Sequence, residues 1–442
     1  MTSTALLTDH YELTMLQAAL RSGTAERRTV FELFARALPD GRRYGVVAGV
    51  GRALDALDDF RFDAEALDHL RTAGVVDAST LEWLTSYRFS GDAWGYAEGE
   101  AYFPGSPLLV VDGTFAECVI LETVLLSIYN HDSAIASAAS RMILAAGGRP
   151  CIEMGSRRTH ERAAVAAARA AYIAGFDATS NLAAGQAYAI PTVGTSAHAF
   201  TLLYDTERDA FAAQVDSLGA GTTLLVDTYD IAEAVRVGVE VAGPDLGAVR
   251  IDSGDLPHLA REVRRELDAL GAGNTRIIVT SDLDEYALAG LAAAPVDGYG
   301  IGTALVTGSG RPTCGFVYKL VARGEPGSDA PLTPVAKLTR DKLSVGGRKW
   351  ATRRRDADGA AEAEVLTIGA PPSDGEAGRE LLVPLVRKGA RVLDEPLAAA
   401  RYRHRRAVDE LPLDARHLSR GDPAIPTEYV TAGDLDRPAS GE

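Results

Sequence analysis

From about residue 150 the chain alternates short β-branched apolar runs with alanine-rich segments of helical period, and this alternation restricts the fold more than any other feature. Such a rhythm belongs to βα units around a parallel sheet, because parallel strands need a crossover between them and a helix supplies it. The strand candidates are "RPCIEM", "AIPTVG", "TTLLVDT", "AVRIDS", "RIIVTS", "VDGYGIG" and "FVYKLV". Between them lie helix candidates such as "RAAVAAARAAYIAG", "DIAEAVRVGVEVAG", "LPHLAREVRRELDALGA" and "DEYALAGLAAA", each ending at or near glycine or in an alanine run. The fold class is therefore α/β, with an irregular βα barrel as its centre. An open doubly wound sheet would give a similar pattern.

The regions on either side read differently. Residues 1–115 predict a mixed α/β domain, with a helix at "DHYELTMLQAALRSG", an extended "RTVFELFARALP" and a strand-like "EAYFPGSPLLVVDGTF". One long helix, "AECVILETVLLSIYNHDSAIASAASRMILAAGG", leads into a catalytic barrel spanning 116–325. Residues 326–442, rich in short strands, polar turns and arginine, are expected to pack with the N-terminal domain, and their last ten residues to fray.

With 442 residues, 46% of them hydrophobic, the chain has ample material for a large core. Three scattered cysteines, Cys118, Cys151 and Cys314, form neither a CxxC nor a zinc-like spacing, and read as free thiols of a reducing cytoplasm. No secretory leader or membrane-length apolar run is expected. A net charge of -16 disfavours nucleic acid and anionic membranes as partners. An anionic ligand would have to be met by a local cluster of arginines, amides or metal.

The polar residues fall where such a cluster would be built. Ser156/Arg157, Thr195/His198, Asp227, Asp252/Asp255, Ser281/Asp282 and Gly302/Thr303 follow the C-terminal ends of successive predicted strands. Those ends converge on one face of a βα barrel. Any single Asp or Ser after a strand is as readily a helix cap or turn former, so the recurrence is what carries weight. "RIDSGDL" offers Arg250, Asp252 and Asp255 in one tight turn, suited to Mg²⁺, vicinal hydroxyls and an anion, or to an N-cap with an ion pair. "VDTYD" adds Asp227 as a second carboxylate, "EMGSRR" places Arg157 and Arg158 after a strand, and "GYGIGTAL" sets Gly300 and Gly302 before Thr303. Neither a P-loop nor a full GxGxxG motif occurs. His198 stands in "GTSAHAF" among Gly194, Thr195, Ser196 and Ala197, residues too small to hide it. That setting suits a base, a metal ligand or a nucleophile, with no other ligand type nearby in sequence to favour metal; a histidine satisfied within the core is the lesser alternative.

Together these motifs resemble those of the nicotinate phosphoribosyltransferases. The resemblance runs in order through "LLTDHYELTM", "FELFARALPDGRRYGVVAGV", "ETVLLSIYNHDSAIASAASRM", "EMGSRR", "FDATSNLAAG", "GTSAHAF", "VDTYD", "RIDSGD", "GYGIGTAL" and "VYKLV", most of residues 5–325. It implies an ATP-dependent ligase of NAD salvage that makes nicotinate mononucleotide and pyrophosphate from nicotinate and 5-phosphoribosyl-1-pyrophosphate, through phosphorylation of His198. It assigns Asp227 and Asp252 to Mg²⁺ and the ribose-pyrophosphate, and Gly300, Gly302 and Thr303 to the 5-phosphate. Arg157 and Arg250 go to the nicotinate carboxylate and the phosphates, with Thr195 beside His198 in the same motif. Tyr11 is the implied ring-stacking residue from the neighbouring subunit of a homodimer with shared sites, and Arg36 a second residue reaching across. The segment after Pro334 departs from the family pattern, with Thr339 and Gly346 where Ser and Pro are usual, which leaves the role of Lys337 open; the chain is also compact for the family. Ser180 in "FDATSN" stands where a nicotinamide-specific transferase would carry aspartate, and a neutral hydroxyl tolerates a carboxylate ligand. The alternatives are that nicotinamide-specific enzyme and a catalytically silent ligand-binding relative.

Overall fold

The computed structural model describes residues 3–325, 330–337, 345–372 and 378–431. Thr339 and the tail 433–442 lie outside the described residues. The chain divides into two compact units, one formed by 1–134 with 313–442 and the other by 135–312. The sequence places these divisions at 115/116 and 325/326 instead.

The second unit carries the parallel sheet. Its strands are β1 (Cys151–Glu153), β2 (Ala178–Thr179), β3 (Thr223–Leu225), β4 (Ala248–Ile251), β5 (Arg276–Val279) and β6 (Gly298–Ile301), in the spatial order β2-β1-β6-β5-β4-β3. The sheet curls as half a barrel, with β2 and β3 as its free edges. Helices on its outside bury apolar stripes: in Leu256–Ala269, Leu256, Ala260, Val263 and Leu267 recur at intervals of three or four and are shielded from water. Each fully buried leucine or valine of this kind contributes about 1.5–3 kcal/mol. Asp255 caps that helix by accepting from His258 N at 3.2 Å, so of the two aspartates in "RIDSGDL" this one has the ordinary capping role.

Two expected barrel strands differ. In "AIPTVG" only Thr192 bridges, to Thr179, because Ala189 takes a φ of 55° and Pro191 has no N–H to donate. "FVYKLV" forms the strand Phe316–Arg323 of the other unit, antiparallel to Arg28–Ala35. Only a one-turn helix, Thr303–Val306, separates it from β6, too little for a parallel crossover.

The first unit is built on a seven-stranded antiparallel sheet in the order Thr333–Pro334, Phe316–Arg323, Arg28–Ala35, Leu109–Thr114, Asp92–Tyr96, Leu382–Arg387, Ala390–Arg391. Helices including His10–Ser22 and Val50–Asp58 contribute to its core, where the rings of Phe31 and Tyr318 stack at 4.8 Å. The expected long helix is two, Phe115–Val119 and Glu122–Ala146. The buried carboxylate of Glu12 accepts from Thr123 N at 3.0 Å and so caps the second, while Thr8 Oγ1 donates to Ile120 O at 3.1 Å in the break.

A second, four-stranded sheet holds a buried ion network. Arg353 and Glu364, cross-strand partners with no exposed side-chain surface, meet at 2.7 Å, and Tyr96 donates to the other Glu364 oxygen at 2.8 Å. Arg379 binds Glu100 and Glu410, both at 2.7 Å. Removing one partner of such a pair strands a charge away from water. Arg353→Met should therefore cost about 3–5 kcal/mol in urea unfolding, whereas a loss below about 1 kcal/mol would mean that the remaining groups repack around Glu364.

Candidate active site

Past the C-terminal ends of the six strands the chain turns immediately, and the turns carry the polar groups. A cavity of about 250 Å³ opens there, lined by residues that include Arg157, Arg158, Arg250, Asp252, Thr280 and Gly302. Gly300 lies in its wall for a packing reason: a Cβ there would come within 2.5 Å of Thr280 Cγ2 and 2.6 Å of Met154 Sδ. Gly302 and Thr303 line it too, and Thr303 Oγ1 donates to Asp282 Oδ1 at 3.4 Å.

Three arginines give the cavity its charge. Arg157 and Arg158 sit exposed in the one-turn helix Ser156–Arg158, with no carboxylate partner among the described residues. Arg250, on β4, donates to Thr195 Oγ1 at 3.1 Å, while its Nε is buried with no hydrogen-bond partner among the described residues. Burial lowers the Arg250 pKa, Asp252 and Asp227 oppose the shift, and the Arg157 charge adds to it. A guanidinium keeps its proton regardless, so a bound anion would relieve this strain.

One carboxylate joins the loops. Asp227, two residues beyond β3, has a side chain only 2% exposed, and both of its oxygens are taken. Oδ1 lies 3.2 Å from His198 Nε2; Oδ2 accepts from Asp252 N at 2.9 Å and Ser253 Oγ at 2.7 Å. Asp252 in turn accepts the Thr280 hydroxyl. His198 is not at a strand end; it starts the short helix His198–Thr201 and remains 40% exposed. Among the described residues, nothing apart from Gly194 itself and its two chain neighbours lies within 4 Å of where a Gly194 Cβ would be.

The structure thus joins His198, Asp227 and Asp252 in one hydrogen-bonded chain and Arg250 with Thr195 in a second contact, with Arg157, Gly300, Gly302 and Thr303 lining the cavity Arg250 and Asp252 share. Ser180 follows β2, exposed, its N–H donating to Glu153 O at 2.8 Å. Tyr11 belongs to the first unit, on helix His10–Ser22, 45% exposed, its pKa pushed up to about 12 by burial and by Glu122 and Glu12. Arg36 is exposed in that unit, Gly346 lies against the Val335 backbone, and Lys337 is described there too. Sequence reasoning assigns no role to Glu153, Thr280 or Asn181, although all three lie within the stretches "EMGSRR", "RIIVTS" and "FDATSN"; a buried acceptor or its donor has no signature until the strands are paired.

Among the described residues no group of three or more His, Cys, Asp or Glu side chains could hold a metal by itself. A Mg²⁺ carried by a polyphosphate needs only one or two protein carboxylates, and the donor set fits that case. Asp252 has a single side-chain partner and the more open oxygens, whereas Asp227 already accepts three hydrogen bonds.

The curled parallel half-barrel, with cations and carboxylates gathered at its strand ends, is a fold shared with phosphoribosyltransferases of known structure. The fold matches the crystal structure of human nicotinic acid phosphoribosyltransferase with a TM-score of 0.81 and 26% identity, over 97% of this chain and 98% of that one. It also matches nicotinate-nucleotide pyrophosphorylase from Pyrococcus furiosus, with a TM-score of 0.75 at 23% identity, over 91% and 94% of the two chains. The sequence profile described as the nicotinate phosphoribosyltransferase (NAPRTase) N-terminal domain matches residues 6–130. Nicotinate phosphoribosyltransferase pncB1 of Mycobacterium tuberculosis is 58% identical over 436 residues, covering 97% of this chain and 95% of that protein. The Bacillus subtilis nicotinate phosphoribosyltransferase is 36% identical over 360 residues, covering 79% and 73%. The chain belongs to the nicotinate phosphoribosyltransferase family.

Glu207, at the head of helix Glu207–Leu218, has its carboxyl pushed up to about 7 by burial, with Glu233 and Asp230 adding to the shift. An acid whose folded pKa is raised binds its proton more tightly when folded, so stability falls as pH climbs from the unfolded value toward 7. Glu207→Gln should consequently melt higher than the parent at about pH 8, with the difference vanishing near pH 4. A pH-independent difference would remove ionisation as its cause.

Proposed function

We propose that the protein is an ATP-coupled nicotinate phosphoribosyltransferase of NAD salvage, working in the cytoplasm and through a phosphohistidine at His198. Family membership supports the reaction, and the His198–Asp227–Asp252 chain beside an arginine-lined cavity is the observation that most supports the mechanism. The carboxylate of Asp227 accepts a hydrogen bond from His198 Nε2–H and holds the proton on that nitrogen, which leaves Nδ1 with its lone pair. That nitrogen attacks the γ-phosphorus of ATP; an N–P bond forms, the P–O bond to ADP breaks, and ADP departs with the electron pair.

Transfer of the ribosyl group needs the diphosphate held and the pyridine nitrogen aimed at the ribose carbon. Arg157, Arg158 and Arg250 supply the cations for the nicotinate carboxylate and the phosphates, and Gly300, Gly302 and Thr303 the wall against the 5-phosphate. The ring nitrogen then bonds to the anomeric carbon as pyrophosphate leaves with the bonding electrons. Asp252 would hold Mg²⁺, which offsets negative charge on the diphosphate when bound. Water finally hydrolyses the phosphohistidine. Ser180 favours nicotinate over nicotinamide as the ring, since an aspartate there would repel the substrate's own carboxylate.

Labelling tests the phosphohistidine directly. With γ-labelled ATP the protein should take up an acid-labile, base-stable label that His198→Ala lacks; equal labelling of the variant would refute the assignment. We further propose a homodimer in which Tyr11 of one copy stacks on the ring bound by the other, a reading supported by the exposure of Leu7, Tyr11 and Met15 on the N-terminal segment. Tyr11→Ala and His198→Ala, each inactive alone, should regain part of the activity when mixed, because one site in the mixed dimer is whole. No recovery despite demonstrated subunit exchange would place Tyr11 outside a shared site.

A further inference from the structure

Glu153, the last residue of β1, is wholly shielded from solvent and yet pairs with no cation among the described residues. Burial raises its pKa, and two hydrogen bonds oppose that shift. One carboxylate oxygen accepts from Gly155 N, the other from the Thr179 hydroxyl. Thr179 Oγ1 meanwhile accepts from Asn181 N at 2.9 Å, and Asn181 Nδ2 donates to Ser156 Oγ at 3.0 Å. The bonds close a ring: Glu153, Gly155, Ser156, Asn181, Thr179 and back to Glu153. The backbone doubles it, with Ser180 N on Glu153 O at 2.8 Å.

This ring ties the turn after β1, which carries Arg157 and Arg158, to the turn after β2, which carries Ser180. Its geometry also explains why the acid is an acid. Both neighbours donate to it, and a carboxylate accepts both, whereas a glutamine must offer an N–H on one side. Turned toward Thr179, that N–H gives Oγ1, already accepting from Asn181, a second donor and removes the outlet for its own proton; turned toward Gly155, it sets two N–H donors against each other. Gly155 completes the fit, since a Cβ there would stand 2.1 Å from Val306 Cγ1.

We infer that Glu153 is a positioning residue for nicotinate: without touching substrate, it fixes the distance between the arginines that pair with the ring carboxylate and the Ser180 turn that admits the ring. The inference rests on the reaction proposed above. It concerns the nicotinate end of the site alone, because the ring includes neither His198 nor Asp227.

Steady-state kinetics of the full-length protein, with nicotinate, 5-phosphoribosyl-1-pyrophosphate and ATP varied in turn, test it. Glu153→Gln should raise the KM for nicotinate about tenfold and lower the preference for nicotinate over nicotinamide, with ATP labelling of His198 unchanged. Thr179→Val, which opens the same ring from its other side, should do likewise, and the double variant should be little worse than either single one. Thr179→Ser keeps the hydroxyl and should match the parent. An unchanged nicotinate KM in Glu153→Gln, a uniform loss across all three substrates, or a Thr179→Ser as impaired as Thr179→Val would overturn the inference. If Glu153→Gln does not fold, Thr179→Val decides; if neither folds, the ring belongs to stability and the inference fails. Absence of any nicotinate turnover by the parent protein would instead remove the proposed reaction itself.

Discussion

The Asp227 carboxylate is the tie on which the rest of the site depends. It is almost wholly buried and accepts from three groups at once: an imidazole, a backbone amide and a hydroxyl. Each donor comes from a different demand. The amide of Asp252 sets where β4 ends, Ser253 Oγ fixes the turn that follows, and His198 acquires an orientation that its own exposed one-turn helix could not impose. Buried carboxylates are tolerated when their lone pairs are this fully used.

Much of this was legible in the sequence, and for a physical reason. Five of the seven strand candidates from residue 150 onward form the parallel sheet, because strands shielded on both faces must be apolar throughout and stand out between helical segments. The strand Ala178–Thr179 escaped notice, being two residues long and without a run of its own. Phe316–Arg323 was legible as a strand but not as to its sheet, since pairing partners far apart in sequence leave no local trace. The residues of the His198 cluster stood out by type and recurrence. Glu153 and Glu12 did not, since a glutamate in a strand or a first helical turn looks solvated until the partners that bury it are known.

Charge is distributed against the grain of the whole molecule. A chain with a net charge of -16 sets Arg157, Arg158 and Arg250 around one small cavity, and among the described residues leaves the Arg250 Nε without a partner. The surplus negative charge elsewhere does not neutralise them, because screening by salt confines such interactions to about 8–10 Å. Local composition, not net charge, decides what this face attracts.

The half-barrel's openness has a cost that its edges keep small. A sheet that does not close offers two rows of unpaired amides and carbonyls, the usual template on which another chain adds a strand and aggregation begins. Here the edges are two and three residues long, and Thr192 already occupies one position along β2 through its bridge to Thr179. So little backbone is on offer that recruitment of a foreign strand has almost nothing to grip. An engineer lengthening either edge to close the barrel would first create the sticky surface that the short strands avoid.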